Sequence, residues 1–253
     1  MLDFLRYFFG EGESVEFSIF TLAHFLPIIV AVAIILVIYR FRKPIQNMKN
    51  EAVFRYILAF LLIISEMSYY WRLIAIPALG PNPVENLPVS VCGWVAIFGS
   101  FMVLGKSQTL FDLCYFWALG GSAFAVLTPT VLNYAGPTRF RYYQFWTEHL
   151  ASYVAIFYMV FVHNMRPNKK SLIKAYIGMI CLAVIAYITN NLIGSGANYL
   201  FMARPEAAPS VLDILPPNFI LRTSIMVAVI TALFILVYLP WYLKDKKQTK
   251  ANL

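Results

Sequence analysis

Ser18–Tyr39, SIFTLAHFLPIIVAVAIILVIY, is followed at once by Arg40-Phe41-Arg42-Lys43. An apolar run of about 20 residues is the length a helix needs to cross the hydrocarbon core of a bilayer. A basic collar just beyond such a run marks the side that faces the cytoplasm. This stretch sets the reading of the chain, because the same signature recurs from end to end. The 253 residues are 60% hydrophobic and only 13% charged, far outside the range of a soluble domain.

Working outward, the spacing predicts an all-α polytopic membrane protein, a single domain over 1–253. Its seven spans lie at about 18–39, 53–76, 88–104, 109–127, 145–162, 172–193 and 219–239. Residues 1–18 carry Asp3, Glu11, Glu13 and Glu16 among aromatics and form a candidate short helix in the headgroup layer. They lack a small-residue cleavage site and are read as retained. Three scattered cysteines (Cys92, Cys114, Cys181) have no paired spacing, so neither a disulfide nor a zinc framework is implied.

The net charge of +8 evokes nucleic acid only until its distribution is seen. With the N-terminus outside and the C-terminus cytoplasmic, all ten Lys and four Arg fall on the inner side. Six Arg (Arg6, Arg72, Arg139, Arg141, Arg204, Arg222) and no Lys fall on the outer side. The basic charge is therefore a topology signal and a contact with anionic headgroups, and nucleic acid is not an expected partner. The expected location is the cell membrane, with a bacterial plasma membrane as the natural host.

This orientation gathers polar residues in one leaflet. His24 opens span one, and Glu66 lies about 15 Å below the outer end of span two. Leu87-Pro88-Val89-Ser90-Val91-Cys92 opens span three, with Pro88 at the first helical position and Cys92 about one turn inside. His149, beside Glu148, lies in the first turn of span five, while Asn190 and Asn191 end span six. Ionisable groups inside a membrane are costly, so they face a cavity or pair with one another. Cys with His is a nucleophile-and-base pair, and at a membrane surface the available electrophile is a lipid ester. Packing roles are open to the same residues. Glu66 can pair with Arg72, the asparagines can join helices, and His24 can be a satisfied core histidine. Cys114 and Cys181 read as packing residues, and Asp112, near the inner end of span four, as solvated. Metal is disfavoured: only His24, His149 and Glu66 could gather, and no His-x3-His pair exists.

Seven spans, Leu87-Pro88-x3-Cys92, His149 opening the fifth, and Asn190…Asn198-Tyr199…Pro205 resemble the bacterial YwaF-type membrane proteins over nearly the whole chain. Those are similar in turn to the eukaryotic transmembrane protein 164 family, acyltransferases that build polyunsaturated ether phospholipids. The likeness to that group rests on topology, the Leu-Pro-x3-Cys motif and the histidine. It implies that Cys92 carries an acyl group and that His149 is its histidine partner. The expected activity is lipid acyl transfer or acyl hydrolysis at the outer leaflet through a Cys92 thioester. His149 would be base and then acid, with His24, Glu66, Asn190 and Asn191 in support. Arg139, Arg204, Asn198 and Tyr199 would contact a phospholipid or lysophospholipid, and no cofactor is expected. The competing class is a non-enzymatic small-solute transporter or sensor using the same outward-facing polar cavity.

Overall fold

The computed structural model describes residues 2–10, 18–129, 136–194, 196–202 and 211–251, and among these there are helices and no strands. A short amphipathic helix, α1 (Leu2–Phe9), precedes α2 (Leu22–Gln46) and α3 (Glu51–Ala75). Then come α4 (Val91–Gly105), α5 (Gln108–Phe116), a π-turn at Trp117–Gly121 and α6 (Ala123–Leu127). The chain ends with α7 (Phe140–Val162), α8 (Lys169–Ile193) and α9 (Phe219–Ala251). Five of these, α2, α3, α7, α8 and α9, are long and apolar enough to cross a membrane; α4 is apolar but has 15 residues. The fourth predicted span is composite, two helices joined by the π-turn.

Helix directions follow from which residues meet. Glu66 of α3 packs on Gly93 of α4, while Arg55, nearer the start of α3, reaches Val103 and Leu104 near the end of α4. These two are antiparallel. Gln144 of α7 meets Ser65, and Tyr158 meets Glu51, so α7 also runs against α3. Tyr142 reaches Ala23 and Phe161 stacks on Tyr39, so α7 runs with α2. Asp112 meets Lys174 and Gly121 meets Met179, which aligns α8 with α5–α6; Phe234 and Trp241 of α9 meet Gly120 and Tyr115 in reverse order. Direction therefore alternates from α2 to α9 when α5–α6 is taken as one segment. Lipid-facing apolar side chains cover the outer surfaces of α2, α8 and α9, and α7 is the most enclosed of the long helices.

Several boundaries differ from the sequence reading, each for a local reason. The first turn of α4 begins at Val91, because Ser90 caps it by accepting the Gly93 N–H at 3.0 Å. Pro88 stays in the approach loop, and Cys92 is the second residue of the helix. The start of α7 is Phe140, five residues early, so His149 lies about 14 Å along it, beyond the second turn. At the other edge α9 continues past residue 239 to Ala251, where exposed lysines cost a helix little. Asp112 is buried, with Lys174 Nζ at 2.8 Å and Gln108 Nε2 at 2.7 Å, and is not solvated.

The end of the bundle where α3 begins is pinned by one carboxylate. Glu51 accepts from Arg55 Nε at 3.1 Å, Tyr158 OH at 2.7 Å and His163 Nε2 at 2.8 Å. Arg55 donates onward to the carbonyls of Val103 (3.0 Å) and Leu104 (2.8 Å), groups the end of α4 would otherwise leave without intrahelical donors. Glu51→Ala strands a buried guanidinium and should cost about 3 kcal/mol, read as a lower midpoint of denaturation in micelles.

Candidate functional site

At the opposite end of the bundle, six polar side chains gather where α3, α4 and α7 meet: Glu66, Cys92, Arg141, Gln144, Glu148 and His149. Glu66 lies nine residues from the end of α3 at Ala75, about 14 Å along the axis. A Cβ on Gly93 would sit 2.4 Å from Glu66 Oε1 and 3.0 Å from Ser90 Oγ, so only glycine lets this carboxyl reach the first turn of α4. The loop from Ala75 must therefore descend into the protein before α4 starts. Val89, just before the cap, is buried accordingly.

From α7, Gln144 joins the two helices. Its amide nitrogen donates to Ser65 O and to Glu148 Oε2, each at 2.8 Å. Its side-chain oxygen accepts from Arg141 Nη1, and the Arg141 guanidinium lies over the Tyr69 ring, 4.6 Å from its centroid. Spacings of three and four residues place Arg141, Gln144 and Glu148 on one face of α7. The carboxyl of Glu148 thereby comes within electrostatic range of that of Glu66, which is also in range of the Tyr70 hydroxyl.

Cys92 is half-buried and within electrostatic range of Glu148, Glu66 and Arg141. His149 is buried, and its Nδ1 lies 2.8 Å from Phe145 O. A carbonyl can only accept, so Nδ1 carries the proton and Nε2 keeps its lone pair. His149 is within range of the same two charges, Glu148 and Arg141. One turn further along α7, Tyr153 donates to Ala118 O at 3.1 Å, inside the π-turn, and is also in range of Cys92.

The other residues singled out in the sequence are distributed as follows. His24 uses both ring nitrogens, accepting from Phe20 N at 3.0 Å through Nδ1 and donating to Val126 O at 2.9 Å, which ties α2 to α6. Asn190 grips Tyr199 from both sides, accepting its N–H (2.8 Å) and donating to its carbonyl (3.1 Å). Tyr199 OH then accepts from Leu87 N (2.8 Å) and donates to Pro83 O (2.7 Å). The pair is thus a clamp on the loop that delivers Cys92. Asn198 caps the short turn Tyr199–Phe201, its carbonyl accepting from Phe201 N at 2.9 Å. Asn191 is exposed and bonds Tyr187 O of its own helix. Arg139 is fully buried under Tyr7, 3.5 Å from the ring centroid, and donates to Tyr7 O, while Arg72 donates to Phe9 O at 3.2 Å. Both hold α1. Arg204 lies outside the described residues.

Sequence reading missed Gln144 and Arg141 as site members and treated Glu148 only as company for His149. Their i, i+3 and i+7 spacing was the available signal, and it becomes readable once α7 is known to begin at Phe140.

An all-α, multi-pass membrane protein with a polar cluster near one end of its helix bundle is the class that this architecture defines. The chain belongs to the TMEM164 family, whose model matches residues 19–243. It matches no curated protein and no solved structure.

Two substitutions test the arrangement. Gly93→Ala should displace Glu66 and cost about 1–3 kcal/mol by overpacking. Gly105→Ala, where a Cβ meets open space, should cost nothing and serves as the control in the same denaturation series. Tyr199→Phe removes the acceptor of the Leu87 N–H, so hydrogen exchange at Leu87 should accelerate by roughly five- to tenfold, the value of one hydrogen bond. An unchanged Leu87 rate would remove Tyr199 from the clamp.

Proposed function

We propose that the chain crosses the membrane seven times, N-terminus outside and C-terminus cytoplasmic, and moves lipid acyl groups at the outer leaflet through a Cys92 thioester. The observation that carries the chemistry is that Cys92 and His149 stand among the same charged neighbours, with His149 Nε2 free of its own proton. The alternating helix directions and the partition of lysine and arginine support the topology. Family membership supports the lipid substrate, since the resemblance to the eukaryotic acyltransferases implies a cysteine that carries the acyl chain. A bacterial plasma membrane is the proposed host.

In the first half-reaction, Cys92 Sγ attacks the carbonyl carbon of a phospholipid ester. His149 Nε2 takes the thiol proton. As the C–O bond breaks, the proton passes to the departing alkoxide, which leaves as a lysolipid. In the second, the hydroxyl of an acceptor lysophospholipid attacks the thioester, His149 accepts its proton, and the C–S bond breaks. The proton returns to the thiolate. Water in place of the acceptor gives hydrolysis and a free fatty acid. Phe145 O is the group that orients the imidazole, and no cofactor is required for either half.

Purified protein in nanodiscs carrying an alkyne-tagged phospholipid tests this directly. A hydroxylamine-sensitive acyl adduct should map to Cys92, vanish in Cys92→Ala, and form about 10²–10⁴-fold more slowly in His149→Ala. An adduct that persists in Cys92→Ala would refute the thioester.

A further inference from the structure

We infer that Arg222 is a positioning residue for Cys92, acting through the Tyr199–Phe201 turn and the loop which that turn clamps. The chemical meaning of this role rests on the proposed acyl transfer, while its geometry rests on hydrogen bonds within the chain. Arg222 is the fourth residue of α9, and its backbone N–H donates to Asn218 O at 2.8 Å. Its guanidinium is fully buried, and no carboxylate among the described residues meets it. Nε donates to Phe201 O at 2.7 Å and Nη1 to Leu215 O at 3.2 Å, while Nη2 has no partner among the described residues. A buried guanidinium without an ion pair is a costly way to join two segments of backbone. An apolar side chain of similar size would fill the place without that cost, so the forked donor itself is what the position uses.

The fork holds a backbone conformation that side chains resist. Leu200 (φ 57°, ψ 21°) and Phe201 (φ 58°) are consecutive left-handed residues, and neither is glycine. Such a pair persists only where its surroundings over-determine it. Both backbone groups of Phe201 are engaged: its N–H donates to Asn198 O at 2.9 Å and its carbonyl accepts from Arg222. The turn in turn aims Tyr199. Asn190 fixes the Tyr199 backbone from α8, and the Tyr199 hydroxyl accepts from Leu87 N and donates to Pro83 O. Leu87 is five residues before Cys92. Asn190 thus sets where Tyr199 sits, and Arg222 fixes the strained turn that follows it. Through these contacts α9 helps to set the loop that delivers the sulfur, without Arg222 touching the substrate.

Hydrogen exchange in nanodiscs tests this connection without any acyl chemistry. Arg222→Met, an unbranched side chain with no donor, should accelerate exchange at Leu87 by about fivefold, roughly the value of one hydrogen bond. Tyr199→Phe breaks the same line further along. Arg222→Met combined with Tyr199→Phe should therefore stay within about twofold of the faster single variant, whereas independent effects would multiply. Trp241→Phe is the control: it removes the donor to Tyr115 OH (2.8 Å) near the other end of α9 and should leave Leu87 unchanged. If Arg222→Met fails to fold, Arg222→Lys, which keeps the charge and loses the fork, gives the same comparison. The alkyne-lipid adduct on Cys92 should form about tenfold more slowly in Arg222→Met, the effect of a displaced nucleophile. The inference is overturned by an unchanged Leu87 rate, by accelerations that multiply, by an equal response to Trp241→Phe, or by an unchanged rate of adduct formation. Absence of any adduct on wild-type Cys92 would instead overturn the proposed function, leaving the exchange results intact.

Discussion

A bilayer supplies no hydrogen bonds, so each polar group carried into it must find its partner inside the protein. In this chain the requirement falls hardest on Glu66, placed by helical rise well below the end of α3. Its answer is to press against Gly93, within electrostatic range of Glu148. The rest of that end of the bundle follows from this contact. The first turn of α4 has to begin at the depth of Glu66, the preceding loop has to descend to reach it, and α7 has to present Gln144 and Glu148 on the face toward α3. Cys92 occupies its position because it neighbours the glycine that makes this approach possible.

The descending loop brings its own difficulty, since irregular backbone at membrane depth is tolerated only where other parts of the protein satisfy it. Tyr199 meets that need with one hydroxyl, which accepts the Leu87 N–H and donates to Pro83 O. Asn86 adds a contact to the Tyr69 hydroxyl at 2.8 Å. Asn190 in turn fixes Tyr199 from α8. Tyr199, which looked from the sequence like a lipid contact, and Asn190, expected in support of the site, thus hold the backbone that carries the cysteine. A similar reassignment applies to His24 and Arg139, whose polar atoms join α2 to α6 and α1 to the start of α7.

Hydropathy made most of the architecture legible. The long helices α3 and α8 begin and end within three residues of the expected edges, because their apolar runs are bounded by charge or by asparagine. The start of α7 was not legible, since Arg141, Tyr142, Tyr143 and Gln144 read as a polar loop when their buried partners are unknown. The consequence is specific. With α7 started at Phe145, His149 falls at the membrane surface; with the extra turn and more, it lies deeper, in the layer of Glu66 and Cys92. The expectation that Cys92, Glu66 and His149 share one layer came from spacing, whereas the approach of Glu148 to Glu66 depends on a helix pairing that periodicity does not encode.

The two ends of α4 are held differently, and the difference bears on what the cysteine can do. At its C-terminus, Arg55 binds the last carbonyls and is itself fixed by Glu51, which Tyr158 and His163 also hold. Lys106, the C-cap of α4 itself, adds a longer contact to Glu51 at 3.9 Å. At its N-terminus, the Ser90 cap and the Tyr199 clamp act on a loop, and Glu66 leans on a residue with no side chain. The helix is therefore anchored from the end remote from Cys92, so its axial position does not depend on what happens at the cysteine. In the proposed acyl transfer, that division places rigidity under the sulfur.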